Sequence, residues 1–338
     1  MGRTPVDPAG GPDHPGMLPR GPHPTAGRGT VSMPRWPGPL LLIIGIVLVI
    51  GALSAGVAVA QGRSGSSDLA VFGWLALLGG VLFAAGLLYI AIRQLRVRRH
   101  LPPERYRGPG VLVLTLLVLV LASILTAPFG SDVAALLMGE GELTFLGAAV
   151  LLVATQVSLL LVSWLLVFRP GALEALPSLP GHDPAGALLA GFGWGIPAWL
   201  GATFASAGVV WLLELIGFDA EPQAAERAIA LVDPWLVVLS VVILAPIAEE
   251  VFFRGVVFNA WLREGGRRWA FIGSSALFAL IHISVVALVP IFLLGLALAW
   301  VYQRTGNLLA PIAMHATVNG ISVALALLIR FDVVRLPV

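Results

Sequence analysis

Long apolar runs, separated by short polar connections, dominate the sequence after residue 38. A helix needs about 20 apolar residues to cross the hydrocarbon core of a bilayer, so these runs predict transmembrane helices. The nine predicted spans are residues 39–60, 69–92, 110–129, 143–168, 186–217, 234–260, 269–287, 289–303 and 308–329. The fifth run contains Gly193, Gly195 and Pro197, and we expect it to kink or to re-enter in part. The pattern therefore predicts an all-α fold, a polytopic transmembrane helix bundle of about eight or nine spans.

The composition agrees with a membrane protein. Apolar residues make up 58% of the 338 residues, charged residues 11%, and the mean hydropathy is +0.94, whereas soluble proteins carry roughly 25% charged residues. We expect an integral, multi-pass protein of a bacterial-type plasma membrane. The chain has no cysteine, which excludes disulfides, a cysteine nucleophile and a thiolate metal site. Residues 1–38 are rich in proline and glycine, and we interpret them as a disordered cytoplasmic tail rather than a signal peptide.

The distribution of charge predicts the topology. Arginine clusters follow the second and the sixth predicted spans, and the positive-inside rule places these connections and the N-terminus in the cytoplasm. The connections after the third and fifth spans are acidic, consistent with the outer face, and nine spans leave the C-terminus outside. The net charge of +2 comes mostly from loops and tails. It therefore reflects topology, and we expect the lipid bilayer as a partner and no nucleic acid.

Three ionisable residues stand at the end of one apolar run. Glu249, Glu250 and Arg254 lie within six residues, although one ionised side chain at the bilayer centre already costs at least ~2.5–3.5 kcal/mol. Glu250 and Arg254 are four residues apart and share a helix face, whereas Glu249 projects about a quarter turn away. We expect Arg254 to neutralise Glu250 and to leave Glu249 free for chemistry or ligation. The alternative is a purely structural ion pair at a helix end.

Further polar residues lie in the last predicted spans, namely His282 in the seventh, and His315 and Asn319 in the ninth. His315 and Asn319 are one turn apart and face the same way. At ~1.5 Å per residue, His282 lies roughly 20 Å, His315 roughly 10 Å and Glu249 roughly 16 Å from the cytoplasmic helix ends. These groups can therefore meet in one layer and activate water. Taken singly, each histidine is better explained as a satisfied core residue, and Asn319 as a polar contact that holds two helices together.

The three motifs carry a family resemblance. The sequences E-E-V-F-F-R at 249–254, F-A-L-I-H at 278–282 and H-A-T-V-N at 315–319 resemble the signature motifs of the CAAX protease and bacteriocin-processing (CPBP, or Abi) family. The resemblance covers roughly residues 234–325, and residues 1–185 match no family by inspection. It implies a membrane bundle of the eight-helix type with a four-helix C-terminal catalytic core. It also implies hydrolysis of peptide bonds within the membrane, on a peptide or membrane-protein substrate.

The resemblance also implies roles for single residues. Glu249 matches the glutamate that activates water, with His282 assisting, and His315 and Asn319 match the pair proposed to stabilise the oxyanion. Glu250 and Arg254 match supporting positions. Cofactor use stays open: Glu249, His282 and His315 would be the ligands of a zinc site, but the chain contains no H-E-x-x-H motif, and a metal-free glutamate mechanism is equally compatible.

Other functional classes stay open as alternatives. The chain has no G-x-S-x-G motif and no Gly-Asp pair, which leaves the glutamate type without a close rival among membrane proteases. A non-catalytic membrane scaffold or immunity factor would need the polar residues only for structure. A proton-coupled transporter is a weaker alternative, since no internal repeat is visible. We divide the chain into a tail at 1–38, helices of unknown role at 39–185 and a catalytic domain at 186–330.

Overall fold

A computed structural model describes residues 33–60, 67–133, 143–173, 183–218 and 231–334, with the side chains of 55–60 and 67–70 left out. Contacts divide the chain into residues 1–34 and 35–338, and the helices named below all lie in the second unit. Most of the predicted tail and of the acidic connections lies outside the described residues. Within the described part every regular element is helical, so the all-α prediction is confirmed.

The described elements form eight apolar helical stretches that are long enough to cross a membrane, as expected of an integral, multi-pass membrane protein. Five precede residue 231, and their bounds are α1 (Pro37–Ala60), α2 (Ser67–Arg98), α3 (Val111–Thr126, then a 3-10 turn at Ala127–Phe129), α4 (Phe145–Ser163, then a wide π-helical turn at Trp164–Phe168) and α5 (Pro184–Leu215). The last two are α8 (Val285–Thr305) and α9 (Leu309–Arg330).

The stretch between α5 and α8, Pro234–Leu280, contains 47 residues and turns back on itself. Gly266 has φ 80° and ψ −175°, a conformation that glycine adopts at little cost because it has no Cβ. Residues before and after Gly266 then face each other: the Phe253 and Phe278 rings are 5.1 Å apart, and the Phe258 and Phe271 rings 5.3 Å. We call the two arms α6 (residues 234–265) and α7 (residues 267–280). Counted this way, the described part has nine helices, close to the nine predicted spans.

α6 is the central helix of the bundle. In an apolar segment of 18 residues within Pro234–Leu280, 56% of the residues are buried, against at most 39% in the corresponding segment of any other span. α6 contains two wide π-helical segments, Val238–Leu244 and Val251–Phe258, on either side of the α-helical turn Ala245–Glu250. Wide turns of this kind are rare and concentrate at functional sites. All eight residues of Val251–Phe258 are buried.

Two of the predicted spans differ in detail from the structure. α5 runs through Pro197 as one helix, so of the two alternatives expected there the partial re-entry is absent and the kink stays a prediction. The seventh span was predicted to continue to residue 287, but α7 ends at Leu280, and Ser284 begins α8 by accepting a hydrogen bond from Ala287 N at 3.1 Å. Ile283, between them, has φ 50°, an unusual conformation for a β-branched residue.

Arginines gather at one end of the bundle, which we call the basic end. It comprises the C-terminal ends of α2, α4, α6 and α8 and the N-terminal ends of α3, α5, α7 and α9. Arg98 links two segments of the basic end. Its Nη1 donates to Gly108 O, in the connection between α2 and α3, at 3.0 Å and to Glu264 Oε1, at the end of α6, at 2.8 Å. Tyr106 packs beneath Arg98, and burial, followed by the nearby Glu264 carboxylate, raises the pKa of its hydroxyl above the usual 10.0.

Candidate active site

The predicted ion pair lies at the centre of α6. Arg254 Nη1 donates a hydrogen bond to Glu250 Oε1 at 2.9 Å, and both side chains have an exposed fraction of 0%. The pairing expected from their four-residue spacing is therefore confirmed. A buried charge is tolerated only when it is paired and hydrogen-bonded, and this ion pair meets both conditions.

Helices α7 and α8 complete the surroundings of Arg254. Its Nη2 donates to Gly295 O on α8 at 3.0 Å, and its guanidinium lies 4.7 Å from the centre of the Phe278 ring on α7. A side chain at Gly295 would meet Ser275, with its Cβ only 3.0 Å from the Ser275 Cβ. Gly295 thus allows the close approach of α7 and α8 that presents a carbonyl oxygen to Arg254.

His315 contacts both glutamates through its two ring nitrogens. Its Nδ1 lies 3.0 Å from Glu250 Oε1, and its Nε2 lies 3.9 Å from Glu249 Oε2. Since Glu250 is a carboxylate and can only accept, the His315 Nδ1 carries a proton and donates it. The second distance is too long for a direct hydrogen bond. Glu249 and His315 thus lie close together, as predicted, but their polar atoms are not directly hydrogen-bonded.

Glu249 differs from its neighbour in having no hydrogen-bonded partner in the described part of the chain, where His315 Nε2 approaches its Oε2 only to 3.9 Å. Its side chain is 13% exposed, and its Oε2 is buried without a hydrogen-bond partner there, as is the Oε2 of Glu250. Buried carboxylate oxygens of this kind need an explanation, because buried polar atoms are nearly always paired. The two adjacent residues nevertheless have different environments: Glu250 Oε1 is held by Arg254 and His315, whereas no hydrogen bond holds Glu249.

Asn319 contacts a part of α6 well before the glutamates. Its Nδ2 donates to Val241 O at 2.9 Å. Pro246 has no N–H to offer this carbonyl five residues earlier, and the Ala245 N–H bonds Ser240 O instead. Asn319 therefore supplies the donor that the proline removes. His315 and Asn319 share a helix face as predicted, but they contact different positions of α6, in line with the alternative that Asn319 holds two helices together.

His282 lies in the turn between α7 and α8, not inside a membrane helix as predicted. It is exposed, and its Nδ1 lies 2.7 Å from Phe278 O. Because a carbonyl only accepts, Nδ1 carries the proton and Nε2 is the basic nitrogen. The Phe278 ring lies between the two histidines, 5.0 Å from the His282 ring and 5.7 Å from the His315 ring. The physical reason for the misplacement is the Ser284 N-cap, a start signal for α8 that is visible in the sequence.

The three predicted zinc ligands do not come together. Within the described ranges, no three histidine, cysteine, aspartate or glutamate side chains form a group that would hold a metal ion. Glu249 and His315 approach each other, whereas the hydrogen bond of His282 is to a backbone carbonyl of its own helix. A zinc site normally takes at least three protein ligands, so these residues do not fit the zinc site that the sequence left open beside a metal-free mechanism.

Sequence reasoning missed a second polar contact on α6. Asn259 Nδ2 lies 2.7 Å from Arg254 O, 3.1 Å from Gly255 O and 2.9 Å from the hydroxyl of Tyr302. These carbonyls belong to the wide segment Val251–Phe258, where helical hydrogen bonding is altered. The sequence does show that Asn259 is a polar residue inside an apolar run. It does not show what the side chain binds, because a wide helical turn has no sequence signature.

Comparisons with known proteins agree with this geometry. Residues 231–321 match the family model described as "Type II CAAX prenyl endopeptidase Rce1-like". The "Putative membrane peptidase YdiL" of Bacillus subtilis (strain 168) is 28% identical over 138 residues, 40% of this chain and 56% of that protein. The "UPF0177 protein YxdF" of Lactococcus lactis subsp. lactis (strain IL1403) is 33% identical over 78 residues, 23% of this chain and 42% of that protein.

A third relative, the "Uncharacterized 24.3 kDa protein" of Escherichia coli, is 32% identical over 139 residues, 38% of this chain and 63% of that protein. The chain thus spans about half the length of the curated relatives it matches. No solved structure matches significantly. The three motifs all lie inside the matched region 231–321, and the predicted resemblance to the CAAX protease and bacteriocin-processing family is confirmed for this part of the chain.

Proposed function

We propose that this protein is an intramembrane endopeptidase, similar to CAAX prenyl proteases, that hydrolyses peptide bonds with a water molecule activated by Glu249. The observation that carries the proposal is the environment of Glu249 Oε2, which is buried, has no partner in the described structure and faces His315 Nε2 at 3.9 Å. A water molecule bound to the side of this pair, within hydrogen-bond distance of both atoms, would contact a proton acceptor and an imidazole at once. The family match and the peptidase name of a relative support the reaction class.

Electrical neutrality of the buried group requires that Glu249 and His315 together carry one proton more than an ionised glutamate with a neutral imidazole. Glu250 and Arg254 cancel, so the buried group is neutral overall when Glu249 is ionised and His315 is protonated on both nitrogens. In that state Glu249 takes a proton from water as the water oxygen attacks the carbonyl carbon of the peptide bond. His315 Nε2–H donates to the oxyanion that forms. When the C–N bond breaks, Glu249 returns its proton to the leaving amine.

The remaining predicted site residues receive supporting roles. His282 Nε2 has no hydrogen-bond partner in the described structure, and we propose that it assists at the mouth of the site, as the resemblance implies. The contact of Asn319 with Val241 O favours a positioning role on α6. Its predicted contribution to the oxyanion site stays a prediction, which the variants described in the Discussion test.

The substrate we propose is a peptide segment of a membrane protein or precursor that reaches Glu249 from within the bilayer. We assign the basic end to the cytoplasm by the positive-inside rule, which places the N-terminus there. Residues 186–330 would form the catalytic domain. The matched region 231–321 is shorter, and α5 is included because it packs extensively against α8 and α9.

The test compares membranes of cells that produce the parent, Glu249→Gln or Glu104→Gln, by mass spectrometry of protein N-termini. Glu104 is exposed and far from the site in sequence, so its variant controls for loss of a carboxylate. A peptidase predicts that a precursor accumulates, and that its cleaved N-terminus disappears, only with Glu249→Gln. A scaffold should tolerate the amide. Cleavage products that are unchanged in Glu249→Gln membranes would refute the proposal.

A further inference from the structure

A pocket lined by three arginines opens at the basic end, away from Glu249. Its cavity volume is about 260 Å³. The C-terminal end of α2 forms one wall with Leu95, Arg96 and Arg99, the connection to α3 contributes Arg107, and residues 170–172, after α4, form the remaining wall. The pocket thus joins three separate parts of the chain around a cluster of positive charge.

The backbone explains why the three guanidinium groups lie together. Arg96 and Arg99 are three residues apart on α2 and so share a helix face. The Arg107 N–H donates to Ala172 O at 3.2 Å, and its Nε donates to Leu101 O at 3.0 Å. These two bonds fix Arg107 in place and leave its terminal nitrogens without a partner in the described structure.

No carboxylate compensates this charge within the described part of the chain. None lines the pocket, and the nearby Glu264 is already bound to Arg98, which contacts the connection between α2 and α3 at Gly108 O. Three like charges in one pocket repel each other unless an anion binds among them. Among the described residues, the pocket therefore offers an anion three guanidinium groups and no competing carboxylate.

A second basic pocket, of about 280 Å³, serves as a comparison. It is lined by Arg267, Trp300, Gln303 and Arg304. Its two guanidinium groups each lie over an aromatic ring, Arg267 at 5.6 Å from the Phe271 centroid and Arg304 at 5.9 Å from the Trp300 centroid. The first pocket has no such rings in its walls, so its arginines depend more strongly on a bound anion.

We propose that the pocket of Arg96, Arg99 and Arg107 binds the phosphate of an anionic phospholipid of the surrounding bilayer. Guanidinium groups match phosphate oxygens in geometry and charge, and basic pockets at helix ends next to the bilayer bind lipid headgroups in this way. The pocket lies where α2 leaves the apolar region, with Leu95 on the apolar side and Arg99 on the polar side. A lipid can therefore place its acyl chains beside α2 and its phosphate among the arginines.

The experiment counts bound lipid on the purified full chain by native mass spectrometry. The protein is prepared in detergent and titrated with phosphatidylglycerol or, as the neutral lipid, phosphatidylcholine. The variants are the double variant Arg96→Gln with Arg99→Gln, and the control Arg105→Gln. Arg105 lies in the same connection as Arg107 and is exposed, but it does not line the pocket, so it matches the loss of charge without altering the site.

The parent should retain phosphatidylglycerol in preference to phosphatidylcholine. Each arginine near a headgroup contributes about fivefold in affinity, equivalent to ~1 kcal/mol, so the double variant should bind roughly 25-fold more weakly and Arg105→Gln like the parent. Millimolar inorganic phosphate that displaces the lipid would show that a free phosphate is the ligand. Equal retention of both lipids by the parent, or equal losses in Arg105→Gln and the double variant, would overturn the site.

Discussion

Replacing Arg254 by alanine should destabilise the protein far more than replacing Glu249 by glutamine. The guanidinium is fully buried and has three contacts, with Glu250, with Gly295 O and with the Phe278 ring. Arg254→Ala leaves the Glu250 carboxylate buried with His315 as its remaining partner. Removing one member of a buried pair costs about 3–5 kcal/mol, which corresponds to a roughly 10²–10⁴-fold change in the ratio of folded to unfolded protein.

The measurement is the unfolding of purified protein in mixed micelles as denaturing detergent is added, together with the amount of protein in the membrane. Glu249→Gln is the matched control, because it removes a carboxylate from the same helix without breaking a hydrogen bond, and His315 stays bonded to Glu250. We expect it to stay within about 1 kcal/mol of the parent. The double variant Arg254→Ala with Glu250→Ala should recover part of the loss, since the uncompensated carboxylate is gone.

The outcome that contradicts this reasoning is an Arg254→Ala protein that accumulates and unfolds like the parent. A double variant that is less stable than Arg254→Ala alone would show that the lost packing, not the unpaired charge, dominates. Both results can be distinguished from loss of catalysis, because neither measurement uses a substrate.

Three further predictions concern other parts of the chain. Asn319→Ala should lower stability by about 1–3 kcal/mol, because Val241 O loses its donor; unchanged stability with a turnover reduced roughly 10²–10³-fold would instead support the oxyanion role. Gly295→Ala should cost about 1–3 kcal/mol in the same unfolding assay, whereas Gly80→Ala, with its nearest neighbour 3.7 Å from the added Cβ, should cost nothing measurable. Deleting residues 2–34 should leave proteolysis intact, and its loss with normal membrane insertion would show a recruiting role.

The sequence predicted those features that depend on local helical geometry. The pairing of Glu250 with Arg254 follows from a spacing of four residues, and this spacing brings side chains together even though Arg254 lies in a wide segment. The apolar runs predicted every helix, because crossing a bilayer fixes both length and composition. The separate environments of Glu249 and Glu250 followed from the same argument, since adjacent residues on a helix point in different directions.

Contacts between helices were harder to predict, because they depend on where each helix begins. The depth estimate placed all helix starts at one level, which put His315 about 6 Å from the level of Glu249. In the structure the His315 Nδ1 nevertheless lies 3.0 Å from Glu250 Oε1. The hydrogen bond from Asn319 to Val241 O was equally inaccessible, since it depends on the wide turn before Pro246.

The site requires that α6 be held in a fixed rotation about its axis. His315 contacts Glu250 with one nitrogen and faces Glu249 with the other, so a rotation of α6 by one residue, about 100°, would exchange the two carboxylates and place the paired one opposite the gap. Wide turns precede and follow these glutamates, and each has a carbonyl bonded by an asparagine side chain, Asn319 before them and Asn259 after them. Because a wide turn that lost this donor would leave a polar backbone group unpaired, the two asparagines favour the one rotation in which Glu250 is paired with Arg254 and Glu249 faces His315 Nε2. The difference between two chemically identical neighbours is thus maintained by polar contacts more than one helical turn away from either of them.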